Sequence, residues 1–225
     1  MIRVAIGEWA PYTSEHDPKG KMLETLFREA MSMHGHEVEF FYFPWARSKE
    51  LVLQGRYDVT FPWYLNNELK EAFHVTPTPM MREKEVFFAL KKTHFDWKSI
   101  SDLKKYRVGG TLGYSHVATF EQAGIHVETS TDELHNFSKL EAGRIDVYPS
   151  SYIVGNQFIR ELFGPEELEK FKVHPKPLRD DPMFALFSKK TQNGMAYAAA
   201  LDDSLKRLIE SGRYKELVKP GLPPP

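Results

Sequence analysis

One loop of this chain concentrates the groups that could hold a small molecule: Gly110-Thr111-Leu112-Gly113-Tyr114-Ser115. It follows an apolar strand and opens a helix, so its free backbone N–H groups and the Thr111 and Ser115 hydroxyls form a candidate cradle for an anionic or carbonyl group. The spacing matches neither GxGxxG nor a P-loop, so no dinucleotide or nucleotide is implied. Carriers of covalent chemistry are few. The chain has no cysteine, which removes thiol catalysis, disulfides and cysteine-bound metals. Gly113-Tyr114-Ser115-His116 lacks the GxSxG elbow of a serine hydrolase. His34-Gly35-His36 has no carboxylate at useful spacing and reads as a solvated turn. Asp58 and Asp146 open strands instead of ending them, which suits turn hydrogen-bonders better than paired catalytic acids. The expectation is binding without catalysis, metal or cofactor.

The aromatic residues point the same way. Trp9, Tyr12, Trp63, Tyr64, Tyr114, Tyr148 and Tyr152 fall at predicted strand ends or just after them. Aromatic walls with a few polar tips are the usual lining of small-molecule sites. Trp9, Tyr12, Trp63, Tyr64 and Tyr114 are expected to face a ligand, whereas Tyr148, within a strand, is expected in the core. Arg47, one turn into a helix that starts beside the expected cleft, is a candidate cation.

These residues are positioned by a unit that the chain builds twice. Leu51–Trp63 reads LVLQGRYDVTFPW, and from Leu140 the chain reads LEAGRIDVYPSS. In both copies an amphipathic run ends on Gly-Arg, a bulky apolar residue follows, and Asp-Val opens a strand. The two glycines, Gly55 and Gly143, lie 88 residues apart. Glycine just past a helix accepts the left-handed conformation that closes the last turn. Two such copies predict two α/β lobes of related construction. Ligands of open α/β sheets sit beyond the carboxyl ends of the strands, which places Pro62, Trp63 and Tyr64 from one copy, and Ser150, Ser151 and Tyr152 from the other, at a shared cleft.

The rest of the pattern agrees. Ile2–Gly7, Val38–Phe43 and the first repeat strand alternate with helices within about 60 residues, which predicts a largely parallel sheet with right-handed crossovers. Further strands are expected at His74–Pro77, Val86–Leu90, Arg107–Gly110, His126–Thr129 and Met183–Phe187. Helices are expected at Asn66–Ala72, Ser99–Lys105, Tyr114–Ala123, Asp132–Ala142, Ser150–Leu162 and Gly194–Ser211. The apolar strands Val86–Leu90 and Met183–Phe187 look like two crossings between lobes, which gives lobe I as 1–87 with 185–225 and lobe II as 88–184. The proline-rich Pro220–Pro225 is expected to be a flexible end. With 30 Lys and Arg against 31 Asp and Glu, a net charge of −1 offers no basic field for nucleic acid. No run of eighteen apolar residues calls for membrane insertion. Met1 leads straight into a strand, and an export leader is expected in the precursor.

Taken in order, GEWAPY, PWAR with GRYDVTFPW, VFFALKK, LKKYRVGGTLGYS, LEAGRIDV, MFALFSKK and LIESGRYKEL resemble the periplasmic solute-binding proteins of ABC importers, in the polar amino-acid class (extracellular solute-binding protein family 3). The resemblance implies a two-lobed type II periplasmic-binding-protein fold on a two-strand hinge, a small-molecule ligand, a permease partner, a monomer, a periplasmic location and no catalysis. In that family an Arg shortly after the first cleft strand holds the ligand carboxylate and an Asp past the second repeat strand holds its ammonium. The matching places here read Leu69 and Ser151. Burying either charge of a zwitterion without a partner costs several kcal/mol, so the expected ligand lies outside the ordinary α-amino acids. Arg47, Lys70 or Arg82 could replace the cation and Glu8 or Asp180 the anion. Two alternatives share the resemblance: a periplasmic dehydratase, with Glu8 as its acid or base, and a module that senses ligand for a membrane receptor.

Overall fold

The computed structural model describes residues 1–18 and 20–218; Pro220–Pro225, expected to be a flexible end, lie outside them. The chain separates into two compact α/β units, Met1–Arg82 with the return from Asp181, and Glu83–Asp180.

The first unit holds β1 (Ile2–Ile6), α1 (Met22–Ser32), β2 (Val38–Tyr42), α2 (Trp45–Leu53), β3 (Val59–Tyr64), α3 (Asn67–Ala72) and β4 (Phe73–Val75). Strand β1 runs parallel to β2, from Ile2 opposite Val38 to Ile6 opposite Tyr42, and is parallel to β3 at Val4 and Val59. The crossover helix α1 is amphipathic: Leu23, Leu26, Phe27, Ala30 and Met31 are buried along one face. Phe27 stacks on Phe61 of β3 with ring centroids 4.7 Å apart. Asn66 caps α3, its side chain accepting from the Leu69 N–H at 2.8 Å. Asn66→Ala is expected to cost about 1 kcal/mol, read as a shift in the urea midpoint at unchanged slope.

The second unit begins within β5 (Met81–Leu90) and adds β6 (Val108–Thr111), α4 (Ser115–Gln122), β7 (Val127–Ser130), α5 (Glu133–Glu141), β8 (Tyr148–Ser151), α6 (Tyr152–Phe163) and β9 (Phe171–Val173). Strands β6 and β7 pair in parallel, Val108 with Val127 through Thr111 with Ser130. Strands β8 and β9 both run antiparallel to β5, with Glu85 opposite Ser151 and Leu90 opposite Phe171. Phe88, Phe137, Leu140, Ile145, Tyr148 and Ile159 form one part of its core, and Phe87, Trp97, Phe120 and Val127 belong to another. The chain then returns through β10 (Arg179–Ser188), which pairs antiparallel with β3 and β4 in the first unit. Helices α7 (Gly194–Glu210) and α8 (Arg213–Leu217) complete that unit. The Ser204 hydroxyl of α7 donates to the Ala30 carbonyl of α1 at 2.7 Å.

The repeated sequence has a repeated structure. Gly55 and Gly143 both take positive φ, +79° and +66°. After each, the Arg N–H returns to the preceding helix, Arg56 to Leu51 O at 3.0 Å and Arg144 to Lys139 O at 2.8 Å. The aspartates then perform one task twice. Asp58 accepts the Arg3 N–H at 2.8 Å and lies 3.5 Å from its guanidinium. Asp146 accepts the Arg107 N–H at 2.8 Å and takes its guanidinium in a fork at 3.1 and 2.6 Å. That fork holds the Asp146 carboxyl below the usual carboxylate range, the side-chain bond from Arg107 outweighing the cost of burial. Both aspartates are strand-entry clamps, as turn hydrogen-bonders should be.

Candidate functional site

Each unit carries its own set of candidate groups. In the first, the loop after β1 folds back on itself. Trp9 and Thr13 form an antiparallel bridge, and the Thr13 hydroxyl donates to the Gly7 carbonyl at 2.8 Å. This brings Trp9 and Tyr12 to a 4.7 Å ring contact. Trp45, at the start of α2, meets Trp9 edge-on at 6.5 Å and Trp63 at 5.7 Å. Three of the predicted aromatics, Trp9, Tyr12 and Trp63, are thus joined into one array through Trp45, which sequence reasoning left out of the site. A side chain at Gly7 would strike the Trp45 ring, its Cβ falling 2.5 Å from it, so the glycine ending the first strand run is what lets the indole lie there.

The polar ends of this array differ. The Trp63 indole N–H donates to Thr60 Oγ1 at 3.0 Å, and its ring packs with Leu69, Phe73 and Val52. The Trp45 indole nitrogen is enclosed and has no hydrogen-bond partner among the described residues. A buried donor left so costs about 1–3 kcal/mol unless something else accepts from it. Tyr64 ends β3, half-buried, opposite Met183 of β10. Arg47 is exposed with its guanidinium 5.4 Å over the Phe43 ring. Glu8 is exposed, and its carboxylate accepts the Glu15 N–H at 2.9 Å. Leu69 is buried in the apolar cluster around Trp63.

In the second unit the Gly110–Ser115 loop leads from β6 into α4, with Gly113 at φ +87°. A Cβ at Gly110 would lie 2.6 Å from Val127, so close packing, not ligand approach, fixes that glycine. Thr111 points into the unit: its hydroxyl is 2.7 Å from the Tyr148 hydroxyl and accepts from Asn136 Nδ2 at 3.0 Å. Ser115 accepts from the Arg179 guanidinium at 2.9 Å. Tyr114 donates to Glu133 at 3.0 Å, and its phenol is pushed well above its ordinary pKa, first by burial and then by that carboxylate. Ser151 caps α6, accepting from the Val154 N–H at 3.2 Å while donating to Glu83 at 2.8 Å.

Sequence reasoning passed over the charged centre that ties these hydroxyls together. Glu85 lies 2.6 Å from Nδ1 of the wholly buried His116 and 2.9 Å from Nε of Arg179. The Thr111 N–H donates to His116 Nε2 at 3.4 Å, which assigns the ring proton to Nδ1 and aims it at Glu85. Burial, the largest single influence, raises the Glu85 pKa, but the pull of His116 and Arg179 together leaves it below the ordinary value. Glu133 takes the Tyr114 and Ser150 hydroxyls, the latter at 2.5 Å. A signal was present in Glu83-Lys84-Glu85: in a strand, i and i+2 share a face, so both carboxylates enter β5 on one side, and both are buried. Among the described residues no group of three metal-ligating side chains converges, and no helix is long and apolar enough to cross a membrane.

No protein-family model matches the chain, and no curated protein does. Solved structures do. A histidine kinase sensor domain with similarity to periplasmic binding proteins is 19% identical over 96% of this chain and 93% of its own, with a TM-score of 0.81. The GluR0 ligand-binding core from Nostoc punctiforme, in complex with L-glutamate, is 16% identical over 96% and 97%, TM-score 0.80. The arginine-, lysine-, histidine-binding protein ArtJ from Geobacillus stearothermophilus is 20% identical over 96% and 93%, TM-score 0.76. The chain therefore has the two-lobed α/β fold of the periplasmic binding proteins, as its sequence leads one to expect.

Proposed function

We propose that the protein is an extracytoplasmic solute-binding protein that captures a small polar ligand and delivers it to an ABC importer, acting as a monomer without catalysis. The two compact units serve as its lobes, with β5 and β10 as the hinge strands. The observation that carries this reading is the aromatic array of Trp9, Tyr12, Trp45 and Trp63, whose Trp45 indole N–H lacks an acceptor among the described residues. An aromatic cluster of mostly edge-on rings with one unspent donor suits a small ligand that carries an acceptor. Ser115, Tyr114 and Ser151 stand as its second set of polar tips, each held by a carboxylate or Arg179.

The ligand falls outside the ordinary α-amino acids in this reading. Leu69 stands where the family's carboxylate-binding arginine belongs and is core, while Ser151 stands at the ammonium-binding place and is a helix cap. Native mass spectrometry of gently purified protein tests the proposal. The expected result is a bound small molecule released unchanged on unfolding; chemical conversion of an added molecule at catalytic protein concentration contradicts it and favours the dehydratase alternative. The likeness to a histidine kinase sensor domain supports a second reading, a ligand-sensing module. Co-purification with a membrane kinase in place of a permease would select it.

A further inference from the structure

The second unit has a concavity away from the residues discussed so far. It measures about 500 Å³ and lies between the end of β7 and one face of α5, closing at Arg144. The helix face is set by spacing: His135, Ser138 and Lys139 recur at i, i+3 and i+4 and therefore stand together. On the strand side, Ser130 lines the concavity, and its hydroxyl is enclosed with no hydrogen-bond partner among the described residues.

The charges around it favour an anion. Lys139 reaches back to the Thr129 carbonyl at 3.3 Å and lies 4.0 Å from Glu128, which leaves donor capacity on an ammonium with three N–H bonds. Arg144 is exposed and lies on the rim, and no ion pair or hydrogen bond engages its guanidinium among the described residues. Asp132, next in the chain to the groove-lining Thr131, is already engaged. It caps α5 through the His135 N–H at 2.9 Å, meets His135 Nδ1 at 2.7 Å and accepts the Thr131 hydroxyl at 3.0 Å. Two cations, Lys139 and Arg144, and the unspent enclosed Ser130 hydroxyl line one concave surface and form a donor set for a tetrahedral oxyanion; the Ser138 hydroxyl is spent on the Leu134 carbonyl at 2.9 Å.

We infer that this groove is a second binding site, for a small oxyanion of the phosphate or sulfate class. It is independent of the solute-binding proposal, because it uses none of the same side chains. The test is an amide chemical-shift titration of the ¹⁵N-labelled protein with sodium phosphate, then sodium sulfate, at constant ionic strength made up with chloride. The expected result is saturable shifts confined to amides of residues 128–145, in the millimolar range. In the double variant Lys139→Gln/Arg144→Gln those shifts fall at least tenfold in apparent affinity, while the rest of the spectrum is unchanged. Ser130→Ala, which keeps both cations, weakens binding several-fold and shows that the hydroxyl is used. Saturable shifts with phosphate but not sulfate assign the site to phosphate, and the reverse to sulfate. Linear, unsaturated shifts in the wild type, or an undiminished response in the double variant, overturn the inference.

Discussion

Replacing Glu85 by glutamine is expected to destabilise the protein by about 3–5 kcal/mol, because breaking one side of a buried ion pair strands the other. The side chains of Glu85 and His116 are almost wholly enclosed, and that of Arg179 is only 17% exposed. Glutamine keeps an acceptor but not the charge that answers Arg179, so the variant separates charge from shape. For a chain of this length each kcal/mol is worth about 2–4 °C in Tm, and the loss is readable by calorimetry. The pH dependence carries its own sign. Glu85 titrates lower in the folded protein than an ordinary glutamate, so its contribution is present above the unfolded-state pKa, about 4.3, and disappears as pH falls through the folded value. Wild type and Glu85→Gln should therefore differ by a constant amount from pH 7 to pH 5 and converge in acid. A gap that widens on acidification contradicts the assignment.

Leu69→Arg is the second large effect. On the resemblance alone, the substitution restores the carboxylate-binding arginine of the amino-acid binders and should create affinity for them. Packing gives the opposite expectation. Leu69 is buried beside Val52, Trp63 and Phe73, and a charge placed among them is strongly unfavourable. A loss of about 3 kcal/mol or more is expected, with no α-amino-acid binding gained, measured by denaturant unfolding and by calorimetric titration with arginine and glutamine. An unchanged midpoint together with new amino-acid affinity would show that position 69 faces ligand.

The fold was legible because its signals are local and repeated. A glycine that must turn left after a helix, followed by an aspartate clamping the next strand, is written in five consecutive residues and occurs twice. The helices expected at Asp132–Ala142 and Gly194–Ser211 match α5 and α7 to within a residue at each end. Less legible were β9 and α8, short elements whose sequences, FKV and RYKEL, carry no periodicity and form only against neighbours. The candidate site was half legible. Loop position singled out Trp9, Tyr12 and Trp63, all of which the structure buries, and passed over Trp45, because it opens a helix and nothing local says that Gly7 makes room for it. Thr111 was read as a ligand hydroxyl, and the structure turns it toward Tyr148 and Asn136. Glu85, His116 and Arg179 are 31 and 94 residues apart along the chain, and a buried triad assembled over such distances leaves no pattern in any one stretch.

A thermal-unfolding screen against α-amino acids, plain carboxylates, polyamines, sugars and short peptides tests the central claim most directly. At about 100 times its dissociation constant, a true ligand adds roughly 2.7 kcal/mol, which is a rise of about 5–10 °C for a chain of this size. The account predicts such a rise for a small polar compound outside the standard amino acids. A comparable rise with arginine, histidine or glutamate would contradict the reading of Leu69 and Ser151, and a flat response to every class would contradict solute capture itself.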